Sequence, residues 1–489
     1  MTAGIHKPLR NSTPLAAPPP SAVTLEPGPN EPTRTKRAIG IDVARSIALI
    51  GMVAVHVWPT TTKSDDMSLV YAVFAGRAAG LFALLAGVSI AFVERRSRGK
   101  LFGRTLWADR GALVVRGLLI MLAGLLLGYL EADVTTILPY FGILFLLVIP
   151  LYGRSNRVLI IAGVLFATLG PLLLFLFGDS LPEQPDPGAD YTLTTMFQYP
   201  VPFISDMLLI GQYPTLLWMA YICVGIVIGR QVLTSKRVAL VIAAWGAGLA
   251  LATWFLSQFL LGAAGGFQRL VEATPGMTSD DIIDVLAYGP EDPMLPHTTG
   301  WWLATVAPYS HTPLNLIHDL GCAMAVTGVV LLLTRSGGKI FSPFAAIGAM
   351  TLTLYSAHVT ILAIDVLDPA RPRVSLWVQI ISFMLFALAW RSAMGRGPLE
   401  QIISDSSDWV RNKIRMPRQH RRRAKEGSAE VDVQRSPPSV ASAPLPGPPV
   451  PATAEPDAAR PPSSAPELQP IYKRTSLRRP SLRRPSRMN

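Results

Sequence analysis

Charge is the first thing this sequence is short of. Asp, Glu, Lys and Arg supply 16% of its 489 residues, against about a quarter in soluble domains, and its mean hydropathy is +0.36. That balance excludes a soluble globular body. Cysteine is nearly absent, and both copies, Cys223 and Cys322, fall in apolar segments, so no disulfide framework is indicated and the redox compartment is unread. There is no His-Glu-x-x-His, Walker loop or dinucleotide loop, and no metal is expected. No cleavable leader is visible, because residues 1–37 are Pro-rich and polar with no apolar core.

What is present is a series of long apolar runs. They predict an all-α fold, a polytopic membrane helix bundle of about ten transmembrane helices, with disordered N- and C-terminal tails. The spans fall near 38–58, 69–93, 112–130, 136–152, 158–177, 205–229, 238–262, 313–334, 342–365 and 374–391. The 136–152 run is short, and Gly211-Gln212-Tyr213-Pro214 interrupts 205–229, so either is expected to be tilted or broken. The organisation that follows is a disordered cytoplasmic tail over 1–37 and a membrane domain over 38–402. A basic juxtamembrane segment over 403–425 and a disordered tail rich in Pro, Ser and Arg over 426–489 complete it.

The excess positive charge is local. Residues 411–489 hold 17 Lys or Arg and 6 Asp or Glu, which is +11 of the net +12. A basic tail on a membrane protein meets anionic headgroups of the bilayer rather than nucleic acid. Its end repeats Ser476-Leu477-Arg478-Arg479-Pro480 as Ser481-Leu482-Arg483-Arg484-Pro485-Ser486. A solvated basic tail accounts for this better than a phosphorylation switch on Ser481 and Ser486. Thirteen Lys or Arg sit in one set of connections against four in the other. This places both termini in the cytoplasm of a multi-pass cell-membrane protein. The opposite set contains two long acidic loops, 178–204 and 263–312.

The first span carries Asp42, Arg45 and His56. At roughly 100° per residue these fall in one stripe with Leu49 and Met52, about 21 Å long. Ionisable groups in a bilayer are costly, so this face is expected to line a protein interior or a wet cavity. At a similar depth below the outer surface the second span brings Arg77, the eighth His318 and Asp319 beside Asn315 and Cys322, and the ninth Thr351, Tyr355 and His358. Such convergence suits a site between helices. Each element also has a plainer account: His318 and His358 as interhelical hydrogen bonds, Asp319 and Arg77 as a pair locking two helices, and His297 and His311 as solvated loop.

Five stretches then carry a resemblance. The first runs from Arg37 through Gly40, Asp42, Arg45, Ser46 and Gly51 to His56, and the second is Leu81–Ser89. Ile137-Leu138-Pro139-Tyr140, Gly348–His358 and Gly397-Pro398-Leu399-Glu400 after Trp390-Arg391 follow in order. Over residues 37 to about 402 the chain resembles the transmembrane acyltransferase superfamily that includes heparan-α-glucosaminide N-acetyltransferase and YeiB-like bacterial proteins. The resemblance implies transfer of an acyl group, acetyl above all, from cytosolic acyl-CoA to a hydroxyl or amine of a sugar or envelope component on the far side. In the animal enzyme the active histidine follows the first span, where this chain reads Lys63-Ser64-Asp65-Asp66.

Geometry and chemistry put His56 forward as general base or acyl carrier, with His358, Tyr355 or Arg77 on the thioester oxyanion. Asp42 and Arg45 with Arg104, Arg110 and Arg116 are the candidates for holding the coenzyme. The competing readings are a small-molecule transporter, suited by the interrupted sixth span, and a non-catalytic membrane subunit in envelope assembly. The expected partners are the bilayer, a carbohydrate or envelope acceptor and, as an assembly, a homodimer.

Overall fold

The computed structural model describes residues 35–96, 103–186, 188–291, 294–337, 340–368 and 370–415. The tail repeats around Ser481 and Ser486, like the rest of 416–489, lie outside the described residues. Among the described residues the fold is helical throughout, with no strand beyond a single bridge between Thr61 and Met67. The helices are α1 (Thr35–Val57), α2 (Leu69–Phe74), α3 (Arg77–Arg96), α4 (Arg104–Leu127), α5 (Leu138–Leu147), α6 (Asn156–Phe177), α7 (Leu193–Gln198), α8 (Pro200–Ser205) and α9 (Thr215–Gly229). They continue with α10 (Lys236–Gln258), α11 (Gly266–Ala273), α12 (Ser279–Tyr288), α13 (Pro313–Leu333), α14 (Ser342–Gly348), α15 (Thr351–Ala363), α16 (Pro372–Ala393) and α17 (Pro398–Arg415).

Seven helical segments among these are long and apolar enough to cross a membrane, and two bent pairs bring the number to nine. Pro200–Ile210 meets Thr215–Gly229 at 49°, so the expected interruption at 211–214 is a real break. The tenth run, 136–152, forms only the ten residues of α5. Pro139 starts that helix, and at 1.5 Å per residue it spans about half a bilayer core. The 342–365 run is also divided, with α14 and α15 meeting at 75°.

Small residues set the spacing of the bundle, as expected where lipid offers no hydrophobic drive between helices. Along the α10–α13 contact, Gly246 faces the backbone of Gly321 and Ala325, and Gly328 faces Ala243. Gly87 of α3 and Gly225 of α9 press backbone on backbone in the same way. Helix α1 is central, packing on α3, α13 and α14. The core that these contacts enclose is continuous, with Leu49, Leu84, Leu144, Trp218 and Leu354 all buried in it.

Helix α15 begins inside the bundle, so its first amides need a partner. Glu400 of α17 provides it: Oε1 accepts from the backbone N–H of Leu352 at 2.7 Å and Thr353 at 3.1 Å, while the Thr353 hydroxyl donates to Oε2 at 2.6 Å. A carboxylate at a helix N-terminus gains from both hydrogen bonds and the helix dipole. Glu400→Ala is therefore expected to cost about 2 kcal/mol, seen as a lower thermal midpoint of the detergent-solubilised protein. Glu400→Gln should lose less, since its amide oxygen still accepts. An unchanged midpoint in the alanine variant would remove the cap from the account.

Candidate functional site

The stripe on α1 has two polar ends. At the first, the Arg45 guanidinium pairs with Asp42 across one turn at 3.0 Å and donates to the Ser89 hydroxyl of α3, which itself donates to the Leu85 carbonyl at 2.6 Å. At the second, half-buried His56 meets His358 of α15, Nδ1 to Nε2, at 3.0 Å with the rings parallel. Between them Leu49 and Met52 are buried in the core. Of the two settings expected for this face, the protein interior is the one found, because apolar side chains fill the middle of the stripe.

His358 makes a further bond, from Nδ1 to the Gln379 side-chain oxygen of α16 at 3.2 Å. An amide oxygen can only accept, so with the Gln379 amide in this orientation His358 carries its proton on Nδ1 and presents a lone pair at Nε2. That lone pair in turn requires His56 to donate from Nδ1. The remaining nitrogen, His56 Nε2, is therefore left with a free lone pair, the requirement for a base or nucleophile. His358 and Gln379 are buried, and the Gln379 amide nitrogen has no partner among the described residues.

The other intramembrane candidates form separate groups. Arg77 donates to the Ala72 carbonyl at 2.5 Å and lies 3.9 Å from Asp319, which accepts from the Asn315 amide at 3.2 Å. His318 bonds the Ala250 carbonyl at 3.0 Å and has Cys322 Sγ 3.7 Å from its other nitrogen. Among the described residues, no hydrogen bond joins these groups to His56 or His358. Tyr355, one turn before His358, accepts at its hydroxyl from the Ile137 backbone N–H at 3.1 Å. Of the basic residues, Arg104 is exposed at the start of α4. Arg110 lies over Trp107, 5.6 Å from its ring centre, and Arg116 over Phe145 at 5.0 Å.

The acidic loops enclose a cleft of about 610 Å³. Asp179, Glu183, Asp190, Asp206 and Glu291 line it, together with His297, which pairs with Asp179 at 2.7 Å. Among the described residues no Lys or Arg lines it. Asp190 accepts from the Thr136 backbone at 2.8 Å, beside the Ile137 that holds Tyr355, so the cleft wall is tied to the His358 helix. Burial raises the Asp190 carboxyl above the ordinary carboxylate range, against the lowering effect of its Thr136 bonds. The expectation of solvated loop histidines is corrected here. His297 is held by Asp179, and His311 is 3% exposed, where burial lowers its imidazole to about 4.

Sequence reasoning did not single out Gln379 or Ser89. A lone amide in the apolar 374–391 run, and a serine noted only as the close of the Leu81–Ser89 stretch, leave little more than the signal of a polar group at membrane depth.

Residues 37–259 match the family model described as heparan-alpha-glucosaminide N-acetyltransferase, catalytic. Among the curated proteins no relative matches the chain.

Proposed function

From the premise that residues 37–259 belong to the heparan-α-glucosaminide N-acetyltransferase-like superfamily of membrane acetyltransferase type, we propose that this multi-pass protein transfers an acyl group from acyl-CoA to an acceptor hydroxyl or amine across the bilayer. The observation that carries the reading is the Gln379–His358–His56 array, which leaves one histidine nitrogen free as a base. In this reading His56 Nε2 takes the acceptor's proton as its oxygen or nitrogen attacks the thioester carbonyl. Collapse of the tetrahedral intermediate breaks the carbon–sulfur bond, and the imidazolium returns the proton to the departing thiolate. His358 fixes the ring and shares the positive charge, with Gln379 as its positioning partner.

The donor would come from the Asp42–Arg45 end, its anionic part met by Arg45, Arg116, Arg110 and Arg104. The buried Leu49 and Met52 must part to admit the pantetheine arm, so donor binding and a local opening of α1 are one event. The acceptor would enter through the acidic cleft. A lining of carboxylates without a basic residue suits a neutral or cationic acceptor, an amino sugar or polyol, and disfavours an anionic one.

The test offers radiolabelled acetyl-CoA to the outside of sealed inside-out vesicles holding the full chain. Label recovered in a non-thiol ester or amide within the lumen supports the reading. Saturable solute flux with no such product overturns it in favour of a transporter. In the same assay Gln379→Leu should lower kcat by about 10- to 100-fold with KM for acetyl-CoA unchanged. Gln379→Glu should restore most of it, since a carboxylate keeps the acceptor that His358 Nδ1 requires. A leucine variant at full kcat would deny Gln379 its positioning role.

A further inference from the structure

A second polar hollow lies at the Arg45 end, between α3, α4 and α17. It measures about 30 Å³ and is lined by Ser89, Arg116, Phe145, Ser407 and Arg411 among others. Helix α17 is fixed over it by Asp109 of α4, which is fully buried. Asp109 takes Arg411 at 3.1 Å and Arg415 at 3.3 Å on one oxygen, and the Tyr152 hydroxyl at 3.3 Å on the other. Arg411 also pairs with Asp408. The charges of this clamp are therefore matched within itself.

Two groups on the hollow are not matched. Ser407 is 8% exposed and its hydroxyl has no hydrogen-bond partner. Arg116 stands on the face of Phe145, its Nε is buried without a partner, and no carboxylate lies within ion-pair distance among the described residues. A guanidinium partly withdrawn from water without a contacting carboxylate is costly, as is a buried hydroxyl left unbonded. Both costs vanish if an anion with several acceptor oxygens sits between them. The guanidinium fork favours a phosphate in particular. Arg45, already bonded to the Ser89 hydroxyl on the same wall, adds to the positive field.

We propose that this hollow is a single-phosphate site, with Arg116 and Ser407 as its ligands and the C-terminal helix α17 as its lid. Its size excludes a nucleoside, so a phosphate held between Arg116 and Ser407 would carry the rest of its molecule outward. Two molecules carry such a group here: a phosphorylated coenzyme donor and an anionic phospholipid. Assigning the phosphate to the donor rests on the acyl-transfer reading above; the site itself does not.

The experiment uses the full chain in nanodiscs, with calorimetric binding of coenzyme A, dephospho-coenzyme A and pantetheine. A parallel arm measures retention of phosphatidylglycerol against phosphatidylcholine by native mass spectrometry. If the donor is the source, Arg116→Gln should weaken coenzyme A by about 30-fold or more and Ser407→Ala by about 5-fold, with pantetheine unchanged. If a lipid is the source, coenzyme A binding should be indifferent and both variants should lose the preference for phosphatidylglycerol. Either result supports a phosphate site. Indifference of both probes to both substitutions overturns it, and Ser407→Ala keeps that outcome reachable should Arg116→Gln fail to assemble. Binding intact in a protein with no acyl transfer would sink the function while leaving the site.

Discussion

His56→Ala is expected to lower acyl transfer by about 10³-fold or more, within the range that a positioned proton acceptor contributes. His56 Nε2 is the one ring nitrogen of the His358–His56 pair without an assigned bond, so the other imidazole cannot take over its work. His358 is not a substitute: its Nε2 accepts from His56, and without that ring it is buried behind a gap. The variant should assemble normally, because His56 is half-buried and its loss removes one hydrogen bond from a helix held by apolar contacts along its length. Transfer measured in inside-out vesicles, beside gel-filtration behaviour and thermal midpoint in detergent, separates chemistry from folding. Activity within tenfold of the parent protein would remove His56 from the chemistry.

Gly348→Ala is expected to have the largest effect on assembly. The added Cβ would stand 1.7 Å from the carbonyl oxygen of Asp42 and 2.5 Å from its carbonyl carbon. Both are backbone atoms of a central helix, so no rotamer change can relieve the clash and α1 must separate from α14. Overpacking of this kind costs about 3 kcal/mol or more, and the strain falls on the residue that pairs with Arg45. The expected result is poor recovery of monodisperse protein, and in any surviving fraction a loss of donor affinity greater than the loss of acceptor affinity. Recovery and thermal midpoint equal to the parent's would show that the two helices can part at no cost.

The sequence made the helical class and most of the spans legible, because a bilayer-length apolar run admits few structures. It also flagged His56 and His358 separately, each as an ionisable group at outer depth. Their contact was beyond its reach. Hydropathy gives depth along a helix but not the azimuth around the bundle, and 302 positions separate the two rings. The 342–365 run reads as one span because average hydropathy is blind to direction, and neither Ala349 nor Met350 announces a 75° bend. Glu400 belongs to a recognisable stretch, yet its service to the first amides of α15 depends on a packing that no local pattern encodes. For the α1 stripe the sequence left a protein interior and a wet cavity both open, since a helical wheel shows which residues share a face and not whether that face is wet.

The pairing of a ring in the first helix with one in the fifteenth also governs when the protein can become competent. A ribosome releases His56 early and His358 only after more than three hundred further residues, with Gln379 and Glu400 later still. Until then the growing polypeptide holds an unoriented imidazole and nothing to aim it. A half-made molecule therefore has no aimed base, and the array is complete only when the final helices dock.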